Sequence, residues 1–419
     1  MSIFALVDCD SFFASCEKIF RPDLKHKPVV VLSNNDGVIV ARSKEAKALG
    51  FKMAQPYFKV ADELKRKKVQ IFSANFNTYG DISHRVMSVC ESFAPNIEIY
   101  SIDEAFLCLD GIENPVKFAW ELKKSIWKWI GIPVSIGIAP TKTLAKLATE
   151  HAKHNDGVFN LFDVANVDAF LKRFPVEEIW GVGNQSKKFF NANGILTACD
   201  LKNVNDQWIK NKTSVVGQRT VNELRGIPCI GLNESPEPQK SIIRSRSFGA
   251  PVKSFRDMQE AISTFISHAS QTLRNQDSAC GCVSVFINTR QNKHSQNNGF
   301  SVTKRLSKPT ADTSALINHA IGLLREIYKT RFEYVRAGVA LFDLSPIQDI
   351  PGDLFEPTYL DSKEHALMAA IDRINHAMGE ETIVFGSSGI RKRAWSSKTS
   401  ARSPNYTTSW DDLPIVKAK

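Results

Sequence analysis

The sequence predicts an α+β protein of several domains, and three observations carry that expectation. The chain has 419 residues, about three times a typical domain of roughly 100–150 residues. Hydrophobic residues make up 43% and charged residues 23%, a balance that supports packed cores and excludes low-complexity or collagenous chains. Short apolar runs alternate with stretches of helical period, and residues 240–344 follow the order strand, helix, strand, strand, helix, strand. That order is ferredoxin-like.

Taken in order, Ile3 to Cys9 is an apolar run that reads as a buried strand, and a helix-like stretch reaches Phe20. Pro28 to Leu32 predicts a second strand. Asn34-Asn35-Asp36-Gly37 supplies residues that tolerate positive φ, so a turn precedes strand Val38–Ala41 and a short helix closed by Gly50. Ile97-Glu98-Ile99 alternates like a half-buried strand and Phe106–Leu109 resumes extended character, which puts Ser101-Ile102-Asp103-Glu104 at a hairpin bend. Val134–Ala139 is a further strand. Pro140-Thr141 then opens a helix with Leu144, Leu147, Ala148 and His151 on one face. Asn233–Lys240, with two prolines, reads as an extended linker. Beyond it, the helices near Arg256–Arg274 and 313–329 carry apolar stripes expected to be core, and Cys280-Gly281-Cys282 is too short for a zinc site.

The formal net charge is +10, which favours a polyanionic partner. It is unevenly spread: +3 over residues 1–239, +8 over 240–344, −6 over 345–385 and +5 over 386–419. The eight cysteines form no paired motif and are expected to be reduced thiols. The N-terminus lacks the sections of a secretory signal, and no apolar run approaches membrane-spanning length, so a cytoplasmic location is expected.

Asp8 ends an apolar strand, and Asp103 and Glu104 end another about a hundred residues on. Three carboxylates from two strands can hold two hard cations about 4 Å apart, which would activate a hydroxyl and stabilise a leaving phosphate. Two structural roles account for the same residues: Asp8 as the cap of the next helix, and Ser101-x-x-Glu104 as a capping box. Residue types alone leave these readings open.

The segments VDCDSFFASCE, SNNDGVIVARSKEAKALG and YSIDEAF, in this order, resemble the signature segments of Y-family translesion DNA polymerases. The resemblance runs over nearly the whole chain, including the C-terminal SPNYTT, and is nearest to the UmuC type, the catalytic subunit of bacterial DNA polymerase V. It implies a right-hand polymerase: a ferredoxin-like palm at 1–30 and 75–167, small fingers at 31–74, a helical thumb at 168–232, a linker at 233–239, a βαββαβ little finger at 240–344 and a partner-binding extension at 345–419. The implied activity is error-prone, template-directed nucleotidyl transfer across damaged DNA in the SOS response. With every segment assigned, no room is left for a proofreading exonuclease. The competing readings are a noncatalytic DNA-binding assembly subunit on the same scaffold, whose mark would be lost carboxylates, and a nucleotidyl cyclase, which the missing GG[DE]EF-type loop disfavours.

By the same resemblance, Asp8, Asp103 and Glu104 are the carboxylates that bind two Mg²⁺ ions, and the main-chain carbonyl of Cys9 is a further ligand. Phe13 occupies the place of the aromatic steric gate against a ribose 2′ hydroxyl, where many members carry tyrosine; phenylalanine keeps the bulk and loses the phenolic hydrogen bond. Ser11, Phe12, Phe13, Arg42, Lys47 and Lys153 are the implied nucleotide contacts, although core packing suits Phe12. Lys47 stands where other branches carry arginine, and Lys44 where they carry tyrosine. Lys142, Lys146 and Lys153 share one helical face that could meet triphosphate charge or simply be solvated.

Ile179–Gly183, followed by Gly194-Ile195, resembles a helix-hairpin-helix in which Gly181 and Gly183 bring backbone amides to a DNA phosphate, or else form a tight turn. Arg225 is suited either to DNA or to capping the preceding helix. Arg244, Arg246, Lys304 and Arg305 could present one basic strand face to DNA. Leu354 and Phe355, paired hydrophobes in an acidic loop, could anchor in a groove on another protein, which the resemblance suggests is the sliding clamp, with the usual motif glutamine displaced to Gln348, or else dock onto the little finger itself. Residues 386–419 have little apolar period and are expected to be mobile alone; they could order on partners or remain a disordered basic tail that assists DNA binding. The resemblance names a processed UmuD-like dimer and a RecA filament as those partners, beside primer-template DNA and deoxynucleoside triphosphates.

Overall fold

The computed structural model describes residues 2–233, 238–290, 299–350, 363–389, 393 and 395–415. Leu354 and Phe355 lie outside the described residues. Two units emerge, one of residues 1–33, 37–236 and 401–419, the other of 34–36 and 237–400.

The first unit opens with β1 (Phe4–Cys9), buried on both faces. A left-handed Ser11 (φ 50°) turns the chain into α1 (Phe12–Ile19), which has no side-chain cap, so capping is not what Asp8 does. A small layer follows: β2 (Val29–Leu32), β3 (Ile39–Arg42), α2 (Lys44–Ala48), α3 (Tyr57–Arg66) and β4 (Gln70–Ser73). Here β2 is central, antiparallel to β3 and parallel to β4, over a core that includes Val30, Leu32, Ile39, Val60 and Leu64. Next come α4 (Phe76–Phe93), β5 (Ile97–Ile99), β6 (Glu104–Cys108), α5 (Pro115–Ile130), β7 (Val134–Ala139), α6 (Lys142–Lys153) and β8 (Val158–Asn160).

These complete a five-stranded sheet in the order β5-β6-β1-β7-β8, with β1 antiparallel to both neighbours. Because strand side chains alternate, Ala5, Val7 and Cys9 join the core with Val86, Leu122 and Ile126 of α4 and α5. Phe4 and Leu6 face the opposite way, with Phe106, Leu144 and Leu147. A Cβ on Gly137 of β7 would lie 2.2 Å from the Thr149 backbone nitrogen, so only glycine lets α6 come this close to the sheet. Five short helices close the unit: α7 (Val167–Leu171), α8 (Asn184–Ala192), α9 (Ala198–Lys202), α10 (Asp206–Lys212) and α11 (Val215–Leu224).

The second unit runs β9 (Ile242–Val252), α12 (Phe255–Asn275), β10 (Ser278–Thr289), β11 (Gly299–Thr310), α13 (Thr313–Ile327) and β12 (Tyr334–Pro346). The sheet order is β11-β10-β12-β9, antiparallel throughout. Both helices lie on one face, where Met258, Ile262 and Leu316 meet Val283, Val285 and Val339. The helix α14 (Lys363–Met378) joins this unit through the ion pair of Asp372 with Arg274 of α12 (2.6 Å).

Two expectations need correction. The strand foreseen from Phe106 begins at Glu104, because Glu104 pairs in register with Asp8. The C-terminal stretch is packed rather than loose. Trp395 is fully buried against Phe265 in the second unit, and within the first unit Ala401 bonds Ser73, Ser403 bonds Glu17 and Tyr406 stacks on Phe20. Single large anchors and polar bonds do this work, and neither leaves an apolar period in the sequence.

Candidate active site

The register of β1 and β6 sets Asp8 directly opposite Glu104, on the face that carries Phe4, Leu6 and Phe106 and is covered by α6. Asp103 stands at the end of the hairpin, where its carbonyl accepts a hydrogen bond from the Cys9 amide (2.9 Å). Ser101 shapes the bend: its Oγ accepts from the amides of Asp103 (3.3 Å) and Glu104 (3.1 Å) and donates to Asp103 Oδ1 (2.7 Å). A strand follows, so this is a turn and not a helical capping box.

Like charges opposed across a sheet are unfavourable, and α6 supplies the compensation. Lys153 Nζ lies 2.9 Å from Asp8 Oδ2, and Lys146 Nζ lies 2.8 and 3.0 Å from the two Glu104 oxygens. Burial still pushes Asp8 up to about 7, against the pull of Lys153 and with help from Glu104 and Asp103. Burial works against the charge of Lys153 as well, but Asp8 and Glu150 outweigh it and hold the ammonium above lysine's ordinary range. Lys146 also lies over the rings of Tyr100 (4.4 Å), Phe106 (5.5 Å) and Trp180 (5.6 Å).

Lys142 departs from its expected role. Its side chain is 1% exposed, paired with Glu98 and donating to the Gly231 carbonyl (2.6 Å), so it is a buried strut unable to meet a triphosphate. The shared helical face is real, but Lys142 lies under it.

Asp8, Cys9, Ser11, Phe12, Phe13, Arg42, Lys47, Asp103 and Lys153 line one cleft with Val40, Ala41 and Met53. Within it Phe12 is buried and Phe13 half-buried. The Phe13 ring stacks on Tyr79 (centroids 4.7 Å apart, 16° between planes) and meets the edge of Phe76 at 5.7 Å. Lys47 is exposed on α2, while the Arg42 guanidinium donates to the Phe51 carbonyl. Among the described residues no group of three or more His, Cys, Asp or Glu side chains is assembled to hold a metal ion, since Glu104 turns to Lys146 and Asp8 to Lys153. The donors nevertheless suit a hard divalent cation: Asp8 and Asp103 share the cleft, and a cation there would offset the burial that, with a smaller push from Glu104 and Asp103, raises Asp8.

The other candidates are dispersed. Gly181 has φ 88° and open space where a Cβ would lie, so its turn requires glycine, and Gly183 is the N-cap of α8. Beside them, Trp180 Nε1 donates to the Tyr100 hydroxyl (2.9 Å). Arg225 donates to the carbonyls of Lys202 (2.9 Å) and Val204 (2.7 Å), so it serves the end of α9, not of the helix before it. The four basic residues of the second unit do not share a face. Arg244 bonds Thr272 of α12, Arg246 lies over Trp395 and Lys304 pairs with Glu326 of α13, all on the helix side, whereas Arg305 stands opposite Cys282 on the open side. Arg336, bonded to Ser245 (3.0 Å), shares that open side and was missed because only the register reveals it. Tyr79 was missed too, with an aromatic amid a helical pattern as its only signal.

Comparison with known proteins gives a consistent picture. The impB/mucB/samB family profile matches residues 7–150, its C-terminal domain matches 239–354, and a domain of unknown function (DUF4113) matches 365–416. The UmuC protein of Salmonella typhimurium is 40% identical, covering 99% of this chain and 100% of the relative. The ImpB protein of the same species is 38% identical over 99% and 100%. A DNA polymerase IV of Brucella melitensis is 28% identical over 91% and 84%. Among solved structures, a Y-family DNA polymerase chimera of Dbh and Dpo4 superposes with a TM-score of 0.64, at 23% identity, over 81% of this chain and 98% of that one. The likeness in structure establishes a common multidomain fold.

Proposed function

This chain belongs to the impB/mucB/samB family, the UmuC type of Y-family DNA polymerase, and from that premise we propose how its cleft carries out the reaction. The protein is a DNA-directed DNA polymerase of the error-prone translesion kind, active in DNA repair and SOS mutagenesis, that binds DNA and nucleotides and uses a divalent metal. The observation that carries the site reading is the convergence of Asp8, Asp103 and Glu104 at the ends of two paired strands under a lysine-bearing helix.

In this reading Asp8, Asp103, Glu104 and the Cys9 carbonyl would hold two Mg²⁺ ions, whose charge, when bound, would favour deprotonation of a primer 3′ hydroxyl and stabilise the departing pyrophosphate. Lys153 is long enough to turn from Asp8 to a phosphate oxygen. Lys47 and Arg42 are the finger-side cations, and Ser11 and Phe12 shape the wall. Phe13, which lines the cleft and is backed by Tyr79, is the proposed bar to a ribose 2′ hydroxyl. The proposed palm is residues 1–30 and 75–167, the fingers 31–74, the thumb 168–232 and the little finger 240–344. Gly181 and Gly183, with Arg305 and Arg336 on the open side of the second unit's sheet, are proposed phosphate contacts, whereas Arg244, Arg246 and Lys304, expected to join them, are engaged on the helix side. Leu354 and Phe355 are proposed for a sliding clamp, a UmuD-like dimer and a RecA filament are the proposed partners of the extension, and the cytoplasm is the proposed location.

The test is Mg²⁺-dependent primer extension opposite an abasic site at low salt, with the UmuD-like dimer and RecA filament supplied. Asp103→Asn and Glu104→Gln are each expected to lose about a thousandfold of the rate, the several kcal/mol that metal-held charge contributes. Variants that extend primers as the unaltered chain does would overturn the site. A chain that binds primer-template and never extends it would favour the assembly-subunit reading.

A further inference from the structure

Behind the cleft, the floor of the Phe13 ring is tied to the far C-terminus of the chain. Phe13 rests on Tyr79, and the Tyr79 hydroxyl donates to Glu17 Oε1 (2.5 Å), one helical turn beyond Phe13 on α1. The same carboxylate oxygen accepts from Ser403 Oγ (3.1 Å). Glu17, Tyr79, Asn75 and Ser403 are all buried.

Ser403 is itself fixed. Asn75, at the N-cap of α4, donates through Nδ2 to the Ser403 carbonyl (3.0 Å) and hydroxyl (3.2 Å) and to the Pro404 carbonyl (3.2 Å). On either side, Ser73 and Ala401 exchange backbone and hydroxyl bonds, and Tyr406 stacks on Phe20 at 4.5 Å.

We propose that residues 401–406 form a strap that sets the position of the Phe13 ring through Ser403, Glu17 and Tyr79, making Ser403 a positioning residue for sugar selection. The physical ground is satisfaction of a buried acid. Glu17 holds two hydroxyl donors, and burial raises its proton affinity despite them. Removing the Ser403 hydroxyl leaves the buried carboxylate to resettle, and Tyr79, bonded to the same oxygen, is drawn with it. Because Phe13 stacks flat on Tyr79, a displaced phenol shifts the ring. The strap also gives Glu17 and Asn75 a use that the transfer reaction does not.

The inference rests on Phe13 being the sugar gate, so the experiment separates the two. In the full chain under primer-extension conditions, kcat and KM are measured for a deoxynucleoside triphosphate and for its ribonucleotide, in the unaltered protein, Phe13→Ala, Ser403→Ala and a chain ending at residue 400. Phe13→Ala is expected to abolish most discrimination. Ser403→Ala is expected to reduce it by about three- to tenfold, the range of one lost buried hydrogen bond, through a lower KM for the ribonucleotide and an unchanged deoxynucleotide kcat; the truncation, which also removes part of the partner-binding extension, is read from the ratio of kcat/KM for the two nucleotides, expected to fall at least as far. A peptide of residues 401–415 added to the truncated chain should restore selection saturably. If Phe13→Ala relaxes selection while Ser403→Ala and truncation leave it intact, the strap is wrong and the gate stands. If Phe13→Ala changes nothing, both fall. Should the truncated chain fail to fold, Ser403→Ala decides alone.

Discussion

The three lysines of α6 and the four basic residues of β9 and β11 pose the same question and are answered differently. On α6 the helical period keeps Lys142, Lys146 and Lys153 on one face, yet depth separates them into a buried strut, a partner of Glu104 and a partner of Asp8. On the sheet, residues two apart do share a side, but the register of β11 against β10 puts Arg305 on the side opposite Arg244, Arg246 and Lys304. Spacing within one element reports direction. It reports neither how deep a side chain lies nor which side a neighbouring strand shares with it.

The contrast on α6 can be broken most sharply at Lys142. Lys142→Met strands Glu98, which is 13% exposed and otherwise bonded to the Asn233 amide. Removing one member of a buried pair costs about 3–5 kcal/mol, so a large fall in the thermal midpoint is expected, with activity per folded molecule largely kept. An unchanged midpoint would mean the lysine is a surface cation after all. Lys153→Ala should do the reverse. It leaves the fold in place and lowers kcat/KM for the incoming nucleotide by about tenfold to a hundredfold, as expected for one hydrogen bond to a charged group. Equal losses for an uncharged mimic of the triphosphate would remove Lys153 from phosphate contact.

How much was legible follows from these residues. Alternation and turn chemistry were enough for the β-α-β-β-α-β unit, because long strands and apolar stripes repeat strongly there. Asp8, Asp103 and Glu104 were visible as strand-end carboxylates. Their opposition was not, since it depends on a register that no local signal encodes. Ser403 and Glu17 were invisible for a plainer reason: 386 residues apart in sequence, they share one hydrogen bond, and a single polar contact leaves no periodic trace.

On the sheet, the comparison is sharpened by salt dependence. If DNA is gripped on the open side, Arg305→Ala and Arg336→Ala should each reduce the slope of log affinity against log salt by roughly 0.7–0.9, the value of one phosphate contact. Arg244→Ala, whose guanidinium is spent on Thr272, should leave the slope nearly unchanged. The opposite pattern would place the DNA on the helix side.

The smallest expected effect lies in the second unit at Glu381, where paired charge serves only stability. Hydrogen bonds from His268 and Arg393 hold its carboxyl down to about 2, against a partial burial that pushes the other way. A carboxylate depressed when folded stabilises the fold above its unfolded value, near 4.5, and loses that contribution as pH falls toward 2. Because the pair is partly exposed (side chains 33% and 21% accessible for Glu381 and Arg393), solvent screening limits its worth to about 0.5–1 kcal/mol. Glu381→Gln should therefore lower the thermal midpoint slightly at pH 7, and the gap from the unaltered chain should narrow as pH is taken from 5 toward 2. A gap that persists at the acid end would mean that Glu381 acts through packing against Arg393 and His268 and not through its charge.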